Sequence, residues 1–326
     1  MVVSRLLAGM LALSSAALIT LPVHAADYPT KPITIVVGFP PGTSTDAIAR
    51  IIGEKISKDW GQPVIVENKP GVGGSLGAAQ VAKAAPNGYT LVLSATAPMN
   101  INPHVYKKLS YNPLTDFEAV GQSTWLPYLL VTNKEKGLDT FPKIVEYAKK
   151  NPDALTFASI GMGTTSHLLM SMLMKATGTT MTHVPYTGSS QAQTDIIGGN
   201  VDMTFDTLVS TLPHVKSGRL NGVAVSTDQR AKLDPSIPTI QEQGVPNFNM
   251  GAWLGFFAPK GTPKEIVNKL HVELNQVLQD PQTNQKLVAL GSEVVMSESP
   301  EAFKKMVEDN YRMWGDLVKE SGVTQK

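Results

Sequence analysis

Ile33-Thr34-Ile35-Val36-Val37-Gly38-Phe39-Pro40-Pro41-Gly42-Thr43-Ser44-Thr45-Asp46, continued by Ala47-Ile48-Ala49-Arg50, is the stretch from which the fold is read. A β-branched run ends in an aromatic residue, a Pro-Pro-Gly turn and three hydroxyl residues, and a helical pattern follows. These residue types predict a strand, a tight loop and a helix N-terminus. The first N–H groups of a helix lack intrahelical partners and carry the positive end of its dipole, so such a junction seats an anion. No Lys or Arg stands between Ile33 and Ala49. An anion held here is held by backbone and hydroxyls.

Working outward, the N-terminal 25 residues read as a secretory signal. Arg5 supplies the basic start, Leu6 to Leu21 is an apolar and small-residue run, and Val23-His24-Ala25 offers small residues for cleavage before Ala26-Asp27-Tyr28. A retained membrane anchor is the alternative. Against it, Ser14, Ser15 and Thr20 interrupt the run, Pro22 ends it, and no second apolar span follows. The 326 residues contain no cysteine, which excludes disulfides, thiolate metal sites, a Cys nucleophile and a lipidated N-terminal Cys. A signal without that Cys predicts an exported soluble protein, most naturally periplasmic, and not a lipoprotein. Without Arg5 the mature chain carries 27 basic residues against 27 acidic ones. That balance argues against nucleic acid or an anionic membrane surface as partner.

After the opening unit, Gln62 to Asn68 reads as a strand, Gly71-Val72-Gly73-Gly74-Ser75 as a tight loop, Leu76 to Ala85 as a helix and Tyr89 to Ala95 as a third strand. The β-α-β-α-β alternation predicts an α/β fold with a parallel sheet covered by helices. The third strand opens into Thr96-Ala97-Pro98-Met99-Asn100, either a polar loop at the ligand-collecting edge of the sheet or a plain turn forced by proline. A second block starts near Leu126. There Thr156 to Ser159 runs through Gly161-Met162-Gly163-Thr164-Thr165-Ser166-His167 into an apolar helix, a counterpart of the opening stretch. Thr182 to Ser190, with Tyr186-Thr187-Gly188, is another strand-to-helix junction, and Asn200 to Asp206 is a strand closing on an acid. Phe248 to Pro259 reads as a buried strand, with helices after it apart from a short strand at Glu293 to Met296. These late elements complete the first lobe. The expected organisation is lobe 1 from 26–125 and 223–326, lobe 2 from 126–222, and a hinge over a cleft.

Enzymatic signatures are weak. No G-x-S-x-G elbow, Gly-Lys-Ser/Thr phosphate loop or His/Asp/Glu metal spacing occurs, so no catalytic residue, cofactor or metal is expected. Ser166 and His167 are adjacent, and neighbours on a helix do not face each other. His167 reads as a packed or capping residue and Asp46, three residues after Thr43, as an acidic capping partner. Phe39 is either a cleft wall for a ligand's carbon chain or core. Asp206 either accepts from a bound ammonium or holds a loop amide. Two hydroxyl- and glycine-rich helix N-termini, one per lobe, suit a small molecule with a carboxylate at each end.

The residues also match a family. Tyr28-Pro29-x-Lys31-Pro32-Ile33, Val36-Val37-x-Phe39-Pro40-Pro41-Gly42 with Asp46 and Ala49-Arg50, Val66-Glu67-Asn68-Lys69-Pro70-Gly71, Pro86-Asn87-Gly88-Tyr89-Thr90, Asn102-Pro103, Gly161-x-Gly163 with Ser166-His167-Leu168, and His183-Val184-Pro185-Tyr186-x-Gly188 together resemble the Bug or TctC-like substrate-binding proteins of tripartite tricarboxylate transporters. The resemblance spans essentially the whole mature chain. It implies a type II periplasmic-binding-protein fold with two lobes and a Venus-flytrap cleft, a carboxylate ligand, and a permease of two membrane subunits as partner. A sensor-kinase ectodomain is a second partner it admits, and a monomer is expected. Carried over, one carboxylate sits on Phe39, Pro41, Gly42, Thr43 and Ser44. Another sits on Gly161, Gly163, Thr164, Thr165 and Ser166. Thr96, Asn100, Tyr186, Thr187 and Gly188 line the cleft, with Asp206 at its far wall. Two positions depart from the family pattern: Thr43 stands where a glycine is usual, and Thr187 where a lysine is usual. Both fit a ligand held by hydroxyls rather than by a cation.

Overall fold

The computed structural model describes residues 28–323. The expected leader, 1–25, and the expected mature start at Ala26 lie outside the described residues. The opening stretch forms strand β1 (Ile33–Val37) and helix α1 (Ser44–Trp60). Ile48, Ile52 and Ile56 recur every fourth residue along α1 and are buried, which fixes the face the helix turns to the sheet. β2 (Val64–Asn68) and β3 (Thr90–Ala95) flank β1 in parallel, joined by a 3₁₀ turn at Val72–Gly74 and α2 (Ser75–Ala82). β9 (Gly251–Pro259), buried along its whole length, pairs antiparallel with β3.

β4 (Phe117–Thr132) joins the lobes. Its first half pairs with β9 and with the short β10 (Glu293–Val294), and its second half pairs with β7 (Met203–Thr207) and β8 (Asn221–Val225). β7 continues in parallel to β5 (Thr156–Ser159), and β5 to β6 (Thr182–Pro185). The strand order β2-β1-β3-β9-β4-β7-β5-β6 is therefore two helix-covered sheets sharing one long strand. Helices α4 (Phe141–Lys150), α5 (Thr165–Thr177), α6 (Ser189–Ile197) and α7 (Leu208–Lys216) belong to the second lobe. A second connection crosses back beside β4: Ser226 N–H donates to Tyr128 O (2.9 Å), and Met250 N–H donates to Ser226 O (2.9 Å).

Two expectations need correction. The return to lobe 1 does not fall at 222/223: β8 runs to Val225 within the second lobe's sheet, and Val225 then bridges Thr239. A strand joins the sheet that offers it a ladder, and β4 offers one there. The loop expected at Thr96–Asn100 is instead a helical turn over Ala97–Ile101, continued by α3 (Asn102–Val105). Pro98 at its start ends no element, since proline is tolerated in a helix's first turn.

Helices α8 (Lys264–Gln279), α9 (Pro281–Ala289) and α10 (Pro300–Ser321) close the structure. α10 drives Phe303 against Trp253 (ring centroids 5.6 Å, edge-on) and Phe257 (5.1 Å) in lobe 1. Further along, its Trp314 and Val318 share a buried cluster with Leu168 of α5, so it also grips lobe 2. Gly255 lies beneath the Phe303 ring, where an added Cβ would stand 2.2 Å from Phe303 Cζ. Gly255→Ala is expected to lower unfolding free energy by about 1–3 kcal/mol, the usual cost of overfilling a packed core, and urea denaturation measures it.

Candidate functional site

Four helices begin at one place between the lobes. Thr43, Ser44 and Thr45 open α1, Thr164 and Thr165 open α5, Ser189 opens α6 and Thr207 precedes α7; all line a small cavity of about 30 Å³. None of the four helices has its first turn capped by the side chain of its N-cap residue. α9 and α10, by contrast, start on Asp280 and Ser299, whose side chains accept from Thr283 and Ala302 N–H. α4 and α8 also lack caps, but Thr140 before α4 and Lys264 at the start of α8 are exposed, where water serves. The first-turn residues of α1 and α5 that line the cavity, Ser44, Thr45 and Thr165, are buried, and the first N–H groups of a helix have no intrahelical acceptor. Unpaired buried donors are costly, and an anion is the partner that relieves them best.

The two jaws are built alike. Thr43 and Thr164 have nearly the same backbone angles (φ −77°, ψ 162° and φ −76°, ψ 162°). The Thr43 hydroxyl donates to Pro40 O (2.8 Å), and the Thr164 hydroxyl to Gly161 O (2.7 Å). Gly42 and Gly163 both take positive φ (81° and 76°), which a side chain would strain. Each glycine N–H donates four residues onward, Gly42 to Asp46 Oδ2 (3.0 Å) and Gly163 to His167 Nδ1 (3.2 Å). Asp46 and His167 thus hold equivalent turns, but Asp46 accepts from Gly42 and not from Thr43, its expected capping partner, whose N–H turns back to Pro40 O. Burial works against the Asp46 charge, but Arg50, the Gly42 N–H and Asn68 outweigh it and hold the carboxyl below its ordinary range.

Between the jaws, Ser44 Oγ meets Thr207 Oγ1 at 2.6 Å, so the lobes touch across the cavity. Asp206 is 1 % exposed and lines the same wall. Its Oδ1 accepts from Thr207 N–H (2.7 Å) and its Oδ2 from Gln193 (3.2 Å), with the Ser189 hydroxyl beside them. It therefore ties together the starts of α6 and α7, the loop-holding alternative. Burial pushes its carboxyl up, with those hydrogen bonds opposing. Tyr128, buried opposite, has its phenol pushed up by burial and then by the Asp206 charge. No Lys or Arg lines the cavity. Among the described residues no cluster of His, Asp or Glu could hold a metal ion.

Of the residues expected at the site, Phe39, Thr43, Ser44, Thr164, Thr165 and Asp206 line this cavity. Phe39, Gly161, Tyr186 and Thr187 line a neighbouring one. The others stand elsewhere. Pro41 and Gly42 face outward. The Gly163 N–H is taken by His167, and Ser166 Oγ accepts from Ile160 N–H (3.1 Å), holding the loop from behind. Gly188 packs near Pro40 across the lobes. Thr96 and Asn100 are core groups. Thr96 Oγ1 accepts from Trp253 N–H, while Asn100 donates to Val307 O (2.8 Å) and accepts from Trp253 Nε1 (3.1 Å). Missed were Thr45, Tyr128, Ser189 and Thr207, three of which adjoin residues that were singled out.

Behind the second jaw the His167 and His183 rings stack at 4.0 Å, with the Phe157 ring 4.8 Å from His183 and 6.2 Å from His167. His183 Nε2 bonds Ser159 Oγ (2.7 Å), which also accepts from Gly161 N–H. The pair clasps the jaw from both sides. Burial, and for His167 also the neighbouring imidazole, depress the two to about 3 and about 4.

These elements define a class of protein: two α/β lobes of the periplasmic-binding-protein fold, hinged on paired crossovers and meeting over an anion-suited cavity. The chain belongs to the tripartite tricarboxylate transporter receptor family, whose model matches residues 48–323. It is 34% identical to protein BugT of Bordetella pertussis over 99% of both chains. Among solved structures it is similar to the periplasmic binding protein BugD (36% identity, TM-score 0.87, covering 92% of this chain and 100% of that one). An R. palustris protein solved with adipate gives 32% identity and TM-score 0.88, over 91% and 99% of the two chains. MatC of Rhodopseudomonas palustris, with bound malate, gives 32% and 0.84, over 89% and 100%. The family is one of solute receptors.

Two outcomes are expected. Asn100→Ala leaves Trp253 Nε1 and Val307 O unpaired in the core and should cost about 1–3 kcal/mol of stability, with ligand affinity unchanged within a factor of two or so. Calorimetric melting and titration separate the two effects. For the histidines, the unfolded chain binds protons near 6.5 and the folded one only near 3–4. Below about 6.5 the unfolded state therefore holds more protons, and stability falls with pH until about 4. A Tm series from pH 7 to 4 should decline more steeply in the wild type than in His167→Asn/His183→Gln.

Proposed function

We propose that this chain is a periplasmic receptor that closes its lobes on a small carboxylate, mono- or dicarboxylate, and delivers it to a tripartite tricarboxylate transporter permease of two membrane subunits. The chain acts as a monomer, with lobe 1 formed by the segments before Leu126 and after Met250 and lobe 2 by the segment between. The observation that carries this reading is the pair of matching uncapped helix N-termini, α1 and α5, facing one cavity without a cation. Charge-assisted hydrogen bonds from such groups are worth about 1.5–3 kcal/mol each. The adipate and malate of the two similar structures carry the same chemistry. A binding role rather than catalysis also suits Ser166 and His167, since each is engaged in holding the loop.

Proline replacement tests the helix termini directly. Ser44 and Thr165 are the first residues of their helices, and the residues before them are extended, as a following proline requires. Ser44→Pro and Thr165→Pro each delete one N–H while keeping the helix, and each should weaken carboxylate binding by about 10- to 100-fold. Ser44→Ala and Thr165→Val, which lose only the side chain, should weaken it less. The assay is a thermal shift screen of adipate, malate and other carboxylates followed by titration. A ligand at about 100 times its Kd adds about 2.7 kcal/mol, or several degrees. Absence of a shift with every carboxylate would overturn the reading.

A further inference from the structure

A second cavity, of about 410 Å³, lies against the first. Phe39 and Ile160 belong to the walls of both, so these two side chains form the partition. Lobe 1 contributes Pro40, Tyr106 and the Gly71–Gly74 turn; lobe 2 contributes Gly161, Tyr186 and Thr187. No charged side chain lines it, and three of its walls are aromatic rings.

The cavity is built rather than left over. The glycine turn is pressed onto the end of β1 so closely that a Cβ on Gly38 would stand 2.3 Å from Gly74 O, and one on Gly74 2.9 Å from the Phe39 ring. Val72 is held at φ 51°, a backbone conformation unfavourable for a β-branched residue, and is 39% exposed at the rim. Asn102 pins the turn by donating to Val72 O and Gly73 O, both at 3.0 Å. The two tyrosines are fixed by their hydroxyls, Tyr106 to Met162 O across the lobes (2.7 Å) and Tyr186 to Asp195 (2.7 Å). Rigid rings, prolines and bare backbone make flat apolar walls, and such walls bind another ring by stacking or edge contact.

We infer that this outer cavity is a second subsite, which takes an uncharged aromatic body attached to the carboxylate seated between the helix termini. The inference rests on the carboxylate reading of the inner cavity. Because the outer walls come from both lobes, an aromatic body there also favours lobe closure. Rotation of the Phe39 ring opens the partition and joins the two spaces.

The test is isothermal titration of the purified exported chain with two matched ladders. Acetate, propionate, butyrate and adipate form one; benzoate, phenylacetate, 3-phenylpropionate and 4-phenylbutyrate form the other. At least one aryl acid should bind ten times or more tighter than the alkanoate of the same linker length. Tyr186→Leu should remove that preference. So should Thr187→Trp, a replacement at an exposed position that fills the outer cavity with its own ring and adds no charge, and both should leave butyrate affinity within twofold. If alkanoates or adipate bind and no aryl acid binds tighter, the outer subsite is refuted while the inner site stands. An aryl preference unmoved by both variants would place the ring elsewhere and refute it too. If no carboxylate of either ladder binds, the inner site falls and the subsite with it.

Discussion

A helix that starts without a side-chain cap leaves its first-turn N–H groups in need of an acceptor. In this protein two such starts are presented, one per lobe, on turns that match almost atom for atom. The turns depend on a glycine at positive φ whose own N–H is removed from the site by the residue four positions on, Asp46 in one lobe and His167 in the other. They depend equally on a threonine whose hydroxyl folds back to the carbonyl three residues earlier. Thr43, unusual for its family pattern, therefore repeats what Thr164 does. Its hydroxyl shapes the turn that aims the N–H groups.

The difference between the jaws lies in the partner of the glycine. Asp46 is a carboxylate neutralised by Arg50 at 2.8 Å on the outer side of the helix, so the charge pair is spent away from the cavity. His167 is neutral and buried, and its acceptor lone pair exists only while it remains so. Protonation would turn that acceptor into a donor facing the Gly163 N–H. Otherwise equivalent loops are thus held by acceptors of different kind, an ion-paired carboxylate in one jaw and a neutral imidazole in the other.

Much of this was legible along the chain because it is local. Strand, turn and helix at Ile33–Arg50, and again at Thr156–Ala176, announce themselves through β-branched runs, glycines and hydroxyls. Phe39, Thr43, Ser44, Thr164 and Thr165 lie on those two stretches, and Asp206 closes the strand read at Asn200 to Asp206. What was missed is set by pairing between distant segments. The first half of β4 carries Gln122, Ser123 and Thr124, and its bulges near Ala119–Gly121 and Gln122–Thr124 break the alternation that marks a strand. Thr96 and Asn100 look like cleft residues by type, yet Trp253 and Val307, more than 150 residues on, claim their hydrogen bonds. Tyr128 and Thr207 meet at the cavity through the β4–β7 register, and Ser189 joins them beside Asp206.

Holding an anion on backbone amides rather than on a cation has a consequence for release. A buried lysine or arginine would itself need a counter-charge whenever the ligand left, since an unpaired buried charge is far more costly than an unpaired N–H. Amides and hydroxyls are instead re-solvated by water as the lobes part. Asp206 is a carboxylate held beside the same cavity by the Thr207 N–H before α7 and by the side chains of Gln193 and Ser189. Of the four helices that start at the cavity, α1 and α5 are the two that start on matching turns, and they are the pair the proposed carboxylate would bridge. They sit on opposite sides of the hinge, Ser44 Oγ closing on Thr207 at 2.6 Å. An anion bridging them would couple its own capture to the approach of the lobes, which α10 also joins, through Phe303 on lobe 1 and through Trp314 against Leu168 of α5.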